Sequence, residues 1–342
     1  MTEQIEALLK SHGFDHFGWT GLEKPLSLSI YKQWIDEGLH GEMEYLRRHL
    51  ADKENPSNLL ARASSAIVVT RSYLPHPRPH APLKAAPVAL YARGEDYHRW
   101  FREELESVAR ELKSLFPSEA FLTATDSMPV LERDLAYRAG LGWIGKNTCL
   151  IHEKRGSLFF IGEILTTLQL TASLEPQPDR CGTCTRCLDA CPTGALVAPR
   201  KLDARKCISY TTIESKSPPE PGLRELNSSF YYGCDICQTV CPWNVKAHGA
   251  ALAPSTPASR DEILADLRLV LRSSGNQLEK LFLGTPLRRA SPRHHKTNAI
   301  VLAANLGLAE LTEEIKTAAE QYPQLAELGA WALQKISRAP TS

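Results

Sequence analysis

Long hydrophobic runs and an export signal are both absent from this chain. It has 342 residues, of which 43% are hydrophobic and 23% charged, the balance of a protein that buries an ordinary core. Its longest apolar stretch, SLFFIGEILTTLQL, is interrupted by Glu163 and is too short to span a bilayer. The first residues, MTEQIEALLKSHG, are acidic early and contain no apolar signal core. We therefore expect a cytoplasmic monomer with no membrane partner.

A large charge of one sign is also missing. Lys and Arg number 40 and Asp and Glu number 39, so the formal net charge is only +1. This excludes a protein that coats nucleic acid through bulk charge, and any affinity for phosphate must come from a local patch.

One basic patch is visible in residues 280–309, which contain cations and no acid. Its cations are Lys280, Arg288, Arg289, Arg293 and Lys296. A solvated helix face is one interpretation of such a run, and contact with nucleic-acid phosphates without base selectivity is the other. A smaller basic set at residues 200–206, beside Cys207, favours phosphate contact.

The usual phosphate-binding loops are missing as well. There is no G-x-G-x-x-G or P-loop, and AGLGWIGKN has its glycines at the wrong spacing. DYHRWF begins like the Asp-x-His-x-x-Gly signal of a histidine-ligated cobalamin but has Phe101 in place of the glycine. The sequence therefore does not support cobalamin ligated by His98.

Cysteine is concentrated in one segment. Eight of the nine cysteines lie between Cys181 and Cys241, and only Cys149, which we interpret as a buried strand thiol, stands apart. Disulfides rarely persist in the cytosol, and zinc sites seldom use three cysteines at three-residue steps. CGTCTRCLDACP has the C-x2-C-x2-C-x3-C-P spacing of bacterial ferredoxins, in which three thiolates hold one [4Fe–4S] cluster and the fourth ligates a second. The run predicts two such clusters.

A second run, YYGCDICQTVCP, has the last three cysteines of the same pattern, with Tyr231 where the first should be. Cys207 in RKCISY can supply the missing thiolate, so that each of the two clusters has four cysteine ligands. The crossed ligand pattern predicts one set of Cys181, Cys184, Cys187 and Cys241 and another of Cys191, Cys207, Cys234 and Cys237. Two adjacent clusters pass single electrons, which indicates redox work.

The apolar pattern predicts a multidomain α+β protein. Helices are predicted over residues 1–13, 27–38, 96–117, 129–140 and throughout 260–338, and strands over 65–75, 87–94, 119–127, 148–152 and 157–170. Strands separated by helices predict an α/β or α+β domain over residues 1–172, and we take it as α/β. A cluster domain over 173–250 and helices of the HEAT-repeat kind over 251–342 follow.

Several motifs together resemble epoxyqueuosine reductases. They are ARGEDYH from Ala92 to His98, the stretch TDSMPVLERDLAYRAGLGWIGKN from Thr125 to Asn147, and the two cysteine runs with CISY between them. The resemblance covers nearly the whole chain. It implies a cobalamin-binding domain, a ferredoxin-like domain with two [4Fe–4S] clusters, and HEAT-like helices that hold tRNA. It also implies reduction of the epoxide of epoxyqueuosine, at the wobble position of a tRNA anticodon, in the last step of queuosine synthesis. An external one-electron donor must supply the electrons.

The resemblance also implies roles for individual residues. Asp126 matches the family's general acid, whereas a turn Asp before a helix is otherwise an N-cap. Burial beside a corrin is expected to raise its pKa. The candidate cobalamin contacts are Lys53, Asp126, Ile151, Lys154, Ser209 and Asp235. Ser209 and Asp235 adjoin cluster cysteines, so they can equally hydrogen-bond the sulfurs, and the two lysines can be plain surface residues. For tRNA the candidates are Arg288, Arg289, Arg293 and Lys296.

Two other functions fit parts of the pattern. A two-cluster electron-transfer protein would use the N-terminal domain to dock a partner. A cobalamin-dependent reductive dehalogenase of a small molecule would share the cofactors but has no use for a basic helical C-terminus.

Overall fold

The computed structural model describes residues 1–227, 230–252 and 258–338. Its helices are α1 Thr2–Ser11, α2 Leu28–Asp36, α3 Glu44–Arg48, α4 Leu50–Glu54, α5 Tyr97–Leu115, α6 Glu132–Arg138, α7 Arg186–Asp189, α8 Ile208–Ile213, α9 Pro221–Arg224, α10 Ile236–Thr239, α11 Pro242–His248, α12 Arg260–Arg272, α13 Gly275–Leu281, α14 Pro292–Asn305, α15 Thr312–Gln321 and α16 Ala326–Arg338. Its strands are β1 Phe17–Gly21, β2 Ser65–Ser72, β3 Phe121–Ala124, β4 Trp143–Ile144, β5 Leu150–Ile151, β6 Phe159–Thr166, β7 Leu196–Ala198 and β8 Lys201–Leu202.

The N-terminal part is built on a four-stranded sheet of order β1-β2-β6-β3. Every pairing within this sheet is antiparallel. The α+β class is therefore confirmed, and of the two alternatives for the N-terminal domain α+β is the one observed. The α/β assignment is wrong, because that class is built on parallel strands joined by crossover helices.

Helices cover both faces of the sheet because strand side chains alternate between the two faces. The amphipathic α5, together with α1, packs on Phe160 and Ile164 of β6 through Phe101 and Leu105. Helix α6 packs on the opposite face, against Leu165. The loops at the end where β3 stops and β6 begins therefore lie between α5 and α6.

The predicted strand over 87–94 is wrong. Residues Leu90–Ala92 form a single 3-10 turn, and Val88 makes one isolated bridge with Tyr232. The backbone N–H groups of Ala89 and Leu90 donate to Tyr232 and Asp235. Because these bonds are made to the cysteine-rich segment, residues 87–94 connect that segment to the sheet domain.

The two cysteine runs each lead into a short helix, α7 and α10, and these helices contact each other. The hairpin β7–β8 follows the first run. The runs therefore lie side by side although they are far apart in the sequence.

The C-terminal helices pack around α14. Residues Ala299 to Ala304 of this helix are buried, and α12, α13 and α16 contact it. Leu83, Ala86 and Val88 from the N-terminal part join the same core. None of the helices in the described ranges combines the length and apolar character needed to cross a bilayer.

Candidate active site and cysteine sites

Asp126 lies in the loop after β3, at the sheet end between α5 and α6. Its backbone is left-handed, with φ of 47°, a conformation that Asp tolerates better than most residues. The side chain is 51% exposed, and its Oδ2 accepts hydrogen bonds from Tyr97 Oη at 2.7 Å and from His98 Nε2 at 2.6 Å. Helix α6 is capped by Leu131, so the alternative of Asp126 as its N-cap is wrong.

The partners of Asp126 come from the first turn of α5. Asp96 is the N-cap of this helix and binds both the backbone N–H of His98 at 3.1 Å and its Nδ1 at 2.7 Å. The Tyr97 ring stacks on Phe160 of β6, with ring centroids 4.2 Å apart. His98 is thereby fixed between two carboxylates.

This arrangement sets the protonation of the site. Burial lowers the pKa of His98, but the hydrogen bonds with Asp126 and Asp96 outweigh it and raise the pKa to about 9. Burial raises the pKa of Asp126, but His98 and Tyr97 bring it below its ordinary value. In the chain by itself the pKa of Asp126 is therefore lowered, because an imidazolium proton faces the carboxylate, and the rise expected beside a corrin stays a prediction.

Lys53 of α4 lies beneath the same loop. It is 8% exposed, and its Nζ donates to the carbonyl of Val130 at 3.2 Å. Burial lowers its pKa, while Glu132 and Asp126 raise it. The structure brings Lys53 and Asp126 into one electrostatic neighbourhood, and Lys53 is not a plain surface lysine.

Asp235 is buried between the sheet domain and the cysteine-rich segment. Its Oδ2 accepts the Leu90 N–H at 2.6 Å, and its Oδ1 has no partner among the described residues. Burial raises the pKa of Asp235 to about 6. Burial raises the pKa of Tyr91, on the same connecting segment, and the charges of Asp126 and Asp235 add to this, so Tyr91 is near both carboxyls. Ser209 is half-buried in the first turn of α8, two residues after Cys207.

Neither Ile151 nor Lys154 is among the residues that hydrogen-bond Asp126 in the described part of the chain. Ile151 is 1% exposed and packs with Trp143 and Cys241. Lys154 is exposed and lines a surface cleft with Asp15, Arg155 and His248. The structure does not bring these two residues together with Lys53 and Asp235.

The cysteine thiols are free and fall into two neighbourhoods. Burial raises the pKa of Cys187, and so do Cys181 and Cys241. Burial raises the pKa of Cys234 to about 12, with Cys207 and Cys191 adding to it. Within the described ranges no three His, Cys, Asp or Glu side chains converge on one point as they would for a single metal ion. In a [4Fe–4S] cluster each cysteine sulfur binds a different iron atom. Four thiols that lie near one another, but do not meet at a single point, therefore fit such a cluster.

Backbone groups surround several of these sulfurs. The N–H groups of Ser209 and Tyr210, at the start of α8, bind the Cys207 sulfur. Lys146 Nζ donates to the carbonyls of Gly182 and Cys184, which holds the first run against the loop after β4. Hydrogen bonds from N–H groups to a cysteine sulfur orient that sulfur as a ligand and favour the thiolate over the thiol.

Cys149 differs from the prediction. It is only half-buried and precedes β5, and its thiol hydrogen-bonds the thiol of Cys237. The interpretation as a buried strand thiol is wrong, because the loop turns it toward the second run.

The basic segment of the C-terminal helices is divided by the fold. Arg288 and Arg289 are exposed, and Arg293 is half-buried. Arg289 binds Glu214 at 3.0 Å and lies over the Tyr45 ring. Lys296 is 0% exposed, and its Nζ donates to the Leu271 carbonyl at 2.7 Å. The prediction of Lys296 as a phosphate contact is therefore wrong, because α14 turns it into the helical core.

The sequence reasoning missed Tyr97, His98 and Glu132 as site residues. Glu132, the first residue of α6, accepts the backbone N–H of Asp126. The sequence signal that could have pointed to His98 was Asp96, an N-cap residue two positions before it at the start of a helix. Only the fold shows that this helix start faces the loop of Asp126.

Two family models match parts of the chain. The model described as "Epoxyqueuosine reductase QueG, DUF1730" matches residues 53–127, and the "4Fe-4S double cluster binding domain" matches residues 180–244. The epoxyqueuosine reductase of Pseudomonas aeruginosa is 36% identical over 316 residues, which cover 91% of this chain and 86% of the relative. That of Escherichia coli is 35% identical over 338 residues, which cover 95% of this chain and 87% of the relative.

Solved structures of such enzymes have the same fold over the whole chain. An epoxyqueuosine reductase bound to an epoxyqueuosine-modified tRNA-Tyr stem loop is 28% identical, with a TM-score of 0.83 over 98% of this chain and 90% of that one. The Bacillus subtilis enzyme, solved with its catalytic Asp loop swung out of the active site, gives a TM-score of 0.82 at 28% identity, over 98% of this chain and 90% of that one.

Proposed function

The chain belongs to the epoxyqueuosine reductase family, and we infer that it reduces the epoxide of epoxyqueuosine, at the wobble position of tRNA, to queuosine. The reaction breaks both C–O bonds of the epoxide, forms the cyclopentene and releases water. It consumes two electrons and two protons. The observation that carries this inference is the Asp126 carboxyl, half-exposed at a sheet end and held by Tyr97 and His98. A general acid in that position can protonate the leaving oxygen.

The enzyme depends on cobalamin and two [4Fe–4S] clusters. Cobalamin supplies a strongly reducing, nucleophilic metal centre for the attack on the epoxide. The residues present fit its polar rim: Asp235 has a buried oxygen without a partner among the described residues, suited to an amide N–H, and Lys53 offers a partly desolvated cation. Ser209 lies beside Cys207 on the same side. We propose Lys53, Asp126, Ser209 and Asp235 as contacts.

Ile151 and Lys154 stay in the proposed set on weaker support. Ile151 is buried against Trp143 and Cys241 and can contribute only through its backbone. Lys154 lies on an exposed turn, and only the match with the family motif favours it.

We propose that Cys181, Cys184, Cys187 and Cys241 hold one cluster and that Cys191, Cys207, Cys234 and Cys237 hold the other. The support is the mutual influence of Cys181, Cys187 and Cys241, and separately of Cys191, Cys207 and Cys234. The second set is next to Asp235 and hence to the side of the molecule that carries Asp126. Electrons are therefore expected to enter at the first set, whose loop residues Gly182 and Thr183 are exposed.

Within the chain, Asp126 performs the proton transfer. The pKa of His98 is raised to about 9, so His98 carries a proton near neutral pH. It donates this proton to Asp126 Oδ2 across 2.6 Å. Asp126 passes that proton to the epoxide oxygen, and Asp96 stabilises the positive charge of the imidazolium. Tyr97, stacked on Phe160, fixes the carboxyl that it hydrogen-bonds.

We propose that the tRNA approaches along Arg288, Arg289 and Arg293. Arg289 acts electrostatically on Asp126, so this basic edge borders the active site. Arg288 and Arg289 lie in the 3-10 turn before α14 and Arg293 in its first turn, and we propose that α12–α16 form a HEAT-like tRNA-binding domain over 251–342. A cobalamin-binding domain over 1–172 and a cluster domain over 173–250 precede it. Because its substrate is tRNA, we propose a cytoplasmic location.

The test is conversion of a defined substrate. Protein reconstituted anaerobically with iron, sulfide and cobalamin should convert an epoxyqueuosine-bearing anticodon stem-loop to queuosine in the presence of a one-electron reductant. Mass spectrometry of the nucleoside should show the loss of one oxygen atom. An unchanged nucleoside, from protein that holds both clusters and the corrin, would refute the assignment.

A further inference from the structure

Two carboxyl groups behind Asp126 have no role in the reaction as described above. They are Glu132, at the start of α6, and Glu163, in the middle of β6. A buried carboxyl without a partner destabilises a protein, so the presence of Glu163, which has none among the described residues, calls for an explanation.

Glu163 lies inside the sheet domain. It is 0% exposed, and neither carboxyl oxygen has a hydrogen-bond partner in the part of the chain that the structure describes. It pairs directly with Ala124 of β3, two residues before Asp126. Because strand side chains alternate between faces, Glu163 lies on the α6 face, one residue pair deeper than the loop of Asp126.

Glu132 is near this buried carboxyl, whose pKa its charge raises, and it contacts the loop of Asp126. It is half-buried, and its Oε1 accepts the backbone N–H of Asp126. Its carboxyl is therefore adjacent to the catalytic loop and Glu132 is partly exposed, whereas Glu163 has no contact with solvent.

Charged side chains nearby influence whether Asp126, Glu132 and Glu163 are protonated. Lys53 is the cation that acts on all three carboxyls, and Arg133 acts on Glu132. Asp126 is held ionised by His98 and Tyr97, with Arg289 also favouring the charge. Burial and then Asp126 raise the pKa of Glu132 to about 8, and burial, Glu132 and Asp126 raise the pKa of Glu163 well above its usual range. Both shifts are in the direction that favours the protonated form of the glutamates.

We propose that Glu132 and Glu163 store the second proton of the reaction and deliver it, through Glu132, to Asp126. This inference rests on the proposed function. The first proton, from Asp126, goes to the epoxide oxygen as its first C–O bond breaks. The second proton goes to the resulting hydroxyl as the second C–O bond breaks, which gives the alkene and water. Two electrons from the external one-electron donor complete the reduction, so that atoms and charges balance.

A proton store gives Asp126 a source that does not depend on solvent. When tRNA covers the cleft, exchange with bulk water slows, and His98 can supply only one proton in each turnover. Glu132 contacts the Asp126 loop directly, and Glu163 can reprotonate Glu132 from within the core.

The experiment compares Glu132→Gln and Glu163→Gln with Asp134→Asn as the matched control. Asp134 is a buried carboxylate on the same helix, but it binds the Ser27 N–H at 2.7 Å and Arg138. In single-turnover reactions on the modified stem-loop we expect Glu132→Gln to slow queuosine formation at least about tenfold. Glu163→Gln should slow it less, and neither variant should change stem-loop affinity.

The pH profile provides a separate measure. The wild-type rate should fall as pH rises through about 8, where Glu132 loses its proton. In Glu132→Gln this fall should disappear, which leaves the decline near pH 9 that belongs to His98. A Glu132→Gln enzyme with the wild-type rate and profile would overturn the proposal.

Infrared spectroscopy tests the store without turnover. The carbonyl stretch of a protonated carboxyl should be present at pH 7 and should lose intensity in each Gln variant but not in Asp134→Asn. Absence of that band would also overturn the proposal. Failure of the proposed function is distinguishable, because wild-type enzyme would then leave the epoxide intact.

Discussion

At the scale of single residues, the site depends on how three polar side chains share protons. Asp96, His98 and Asp126 form a carboxylate–imidazole–carboxylate row with contacts of 2.7 and 2.6 Å. An imidazole between two carboxylates is held in its charged form. Asp126 can therefore be an ionised group that becomes a proton donor only when His98 gives up its proton.

The first prediction concerns Asp126. Asp126→Asn keeps the shape of the side chain but cannot pass a proton, so we expect queuosine formation to fall roughly 10²-fold or more. Bound cobalamin, measured by its absorbance, should be retained. Ser127→Ala in the same loop is the control and should keep nearly full activity. Full activity in Asp126→Asn would remove this residue from the mechanism.

The second prediction concerns His98 and pH. The pKa of His98 is raised from 6.5 to about 9 in the folded protein, so its pairing stabilises the fold fully below about pH 6.5 and is lost as pH rises through 9. Compared with His98→Gln, the wild type should have a higher unfolding midpoint at pH 6, and the difference should shrink toward pH 10. The measurement is thermal unfolding across this range. A difference that is constant with pH would show that His98 is not charged in the fold.

At the scale of elements, α14 shows that helix packing can bury a cation that the sequence alone assigns to a binding surface. The helix is surrounded by α12, α13 and α16, so its polar residues must find internal partners. Lys296 finds one in the Leu271 carbonyl, and His295 bonds Tyr231 at 2.7 Å. The cations that remain near the surface, Arg288, Arg289 and Arg293, lie before the helix or in its first turn.

The third prediction separates these two kinds of cation. Arg288→Gln should weaken binding of the anticodon stem-loop and reduce the slope of log affinity against log salt by about 1. Lys296→Met keeps the side-chain volume and should leave affinity and slope unchanged. It should destabilise the fold by about 1 kcal/mol, because the Leu271 carbonyl loses its donor. Loss of tRNA affinity in a folded Lys296→Met protein would contradict this assignment.

At the scale of the whole molecule, two runs of cysteines and one distant cysteine are brought together. Cys207 approaches Cys191 and Cys234, and Cys241 approaches Cys181 and Cys187. The proposed crossing would join the two cysteine runs into one unit. The segment 83–92 joins this unit both to the sheet domain and to the C-terminal helices.

The fourth prediction tests the crossing by counting iron. Cys207→Ser/Cys234→Ser removes two thiolates of one proposed cluster, so about half of the iron and acid-labile sulfide should remain. Cys207→Ser/Cys241→Ser damages both clusters and should leave little iron. Cys149→Ser is the control and should retain all of it. Equal losses in the two double variants would refute the proposed sets.

The sequence by itself determined the features that depend on local order. Spacing of C-x2-C-x2-C-x3-C-P defines an iron–sulfur run without reference to any fold, because neighbouring ligands must reach one cluster. The amphipathic pattern of α5 and the β-branched runs of β2 and β6 placed those elements close to their observed bounds. Asp126 was found through its motif.

Only the tertiary structure decided which side chains meet. His98 lies 28 residues before Asp126 in the chain, and its contact depends on the packing of α5 against β6. Burial of Lys296 and Glu163 depends on neighbouring elements that no local pattern specifies. The antiparallel order of the sheet likewise follows from long-range pairing. Local sequence limits the conformation of each segment, but the pKa of a group is set by everything packed around it.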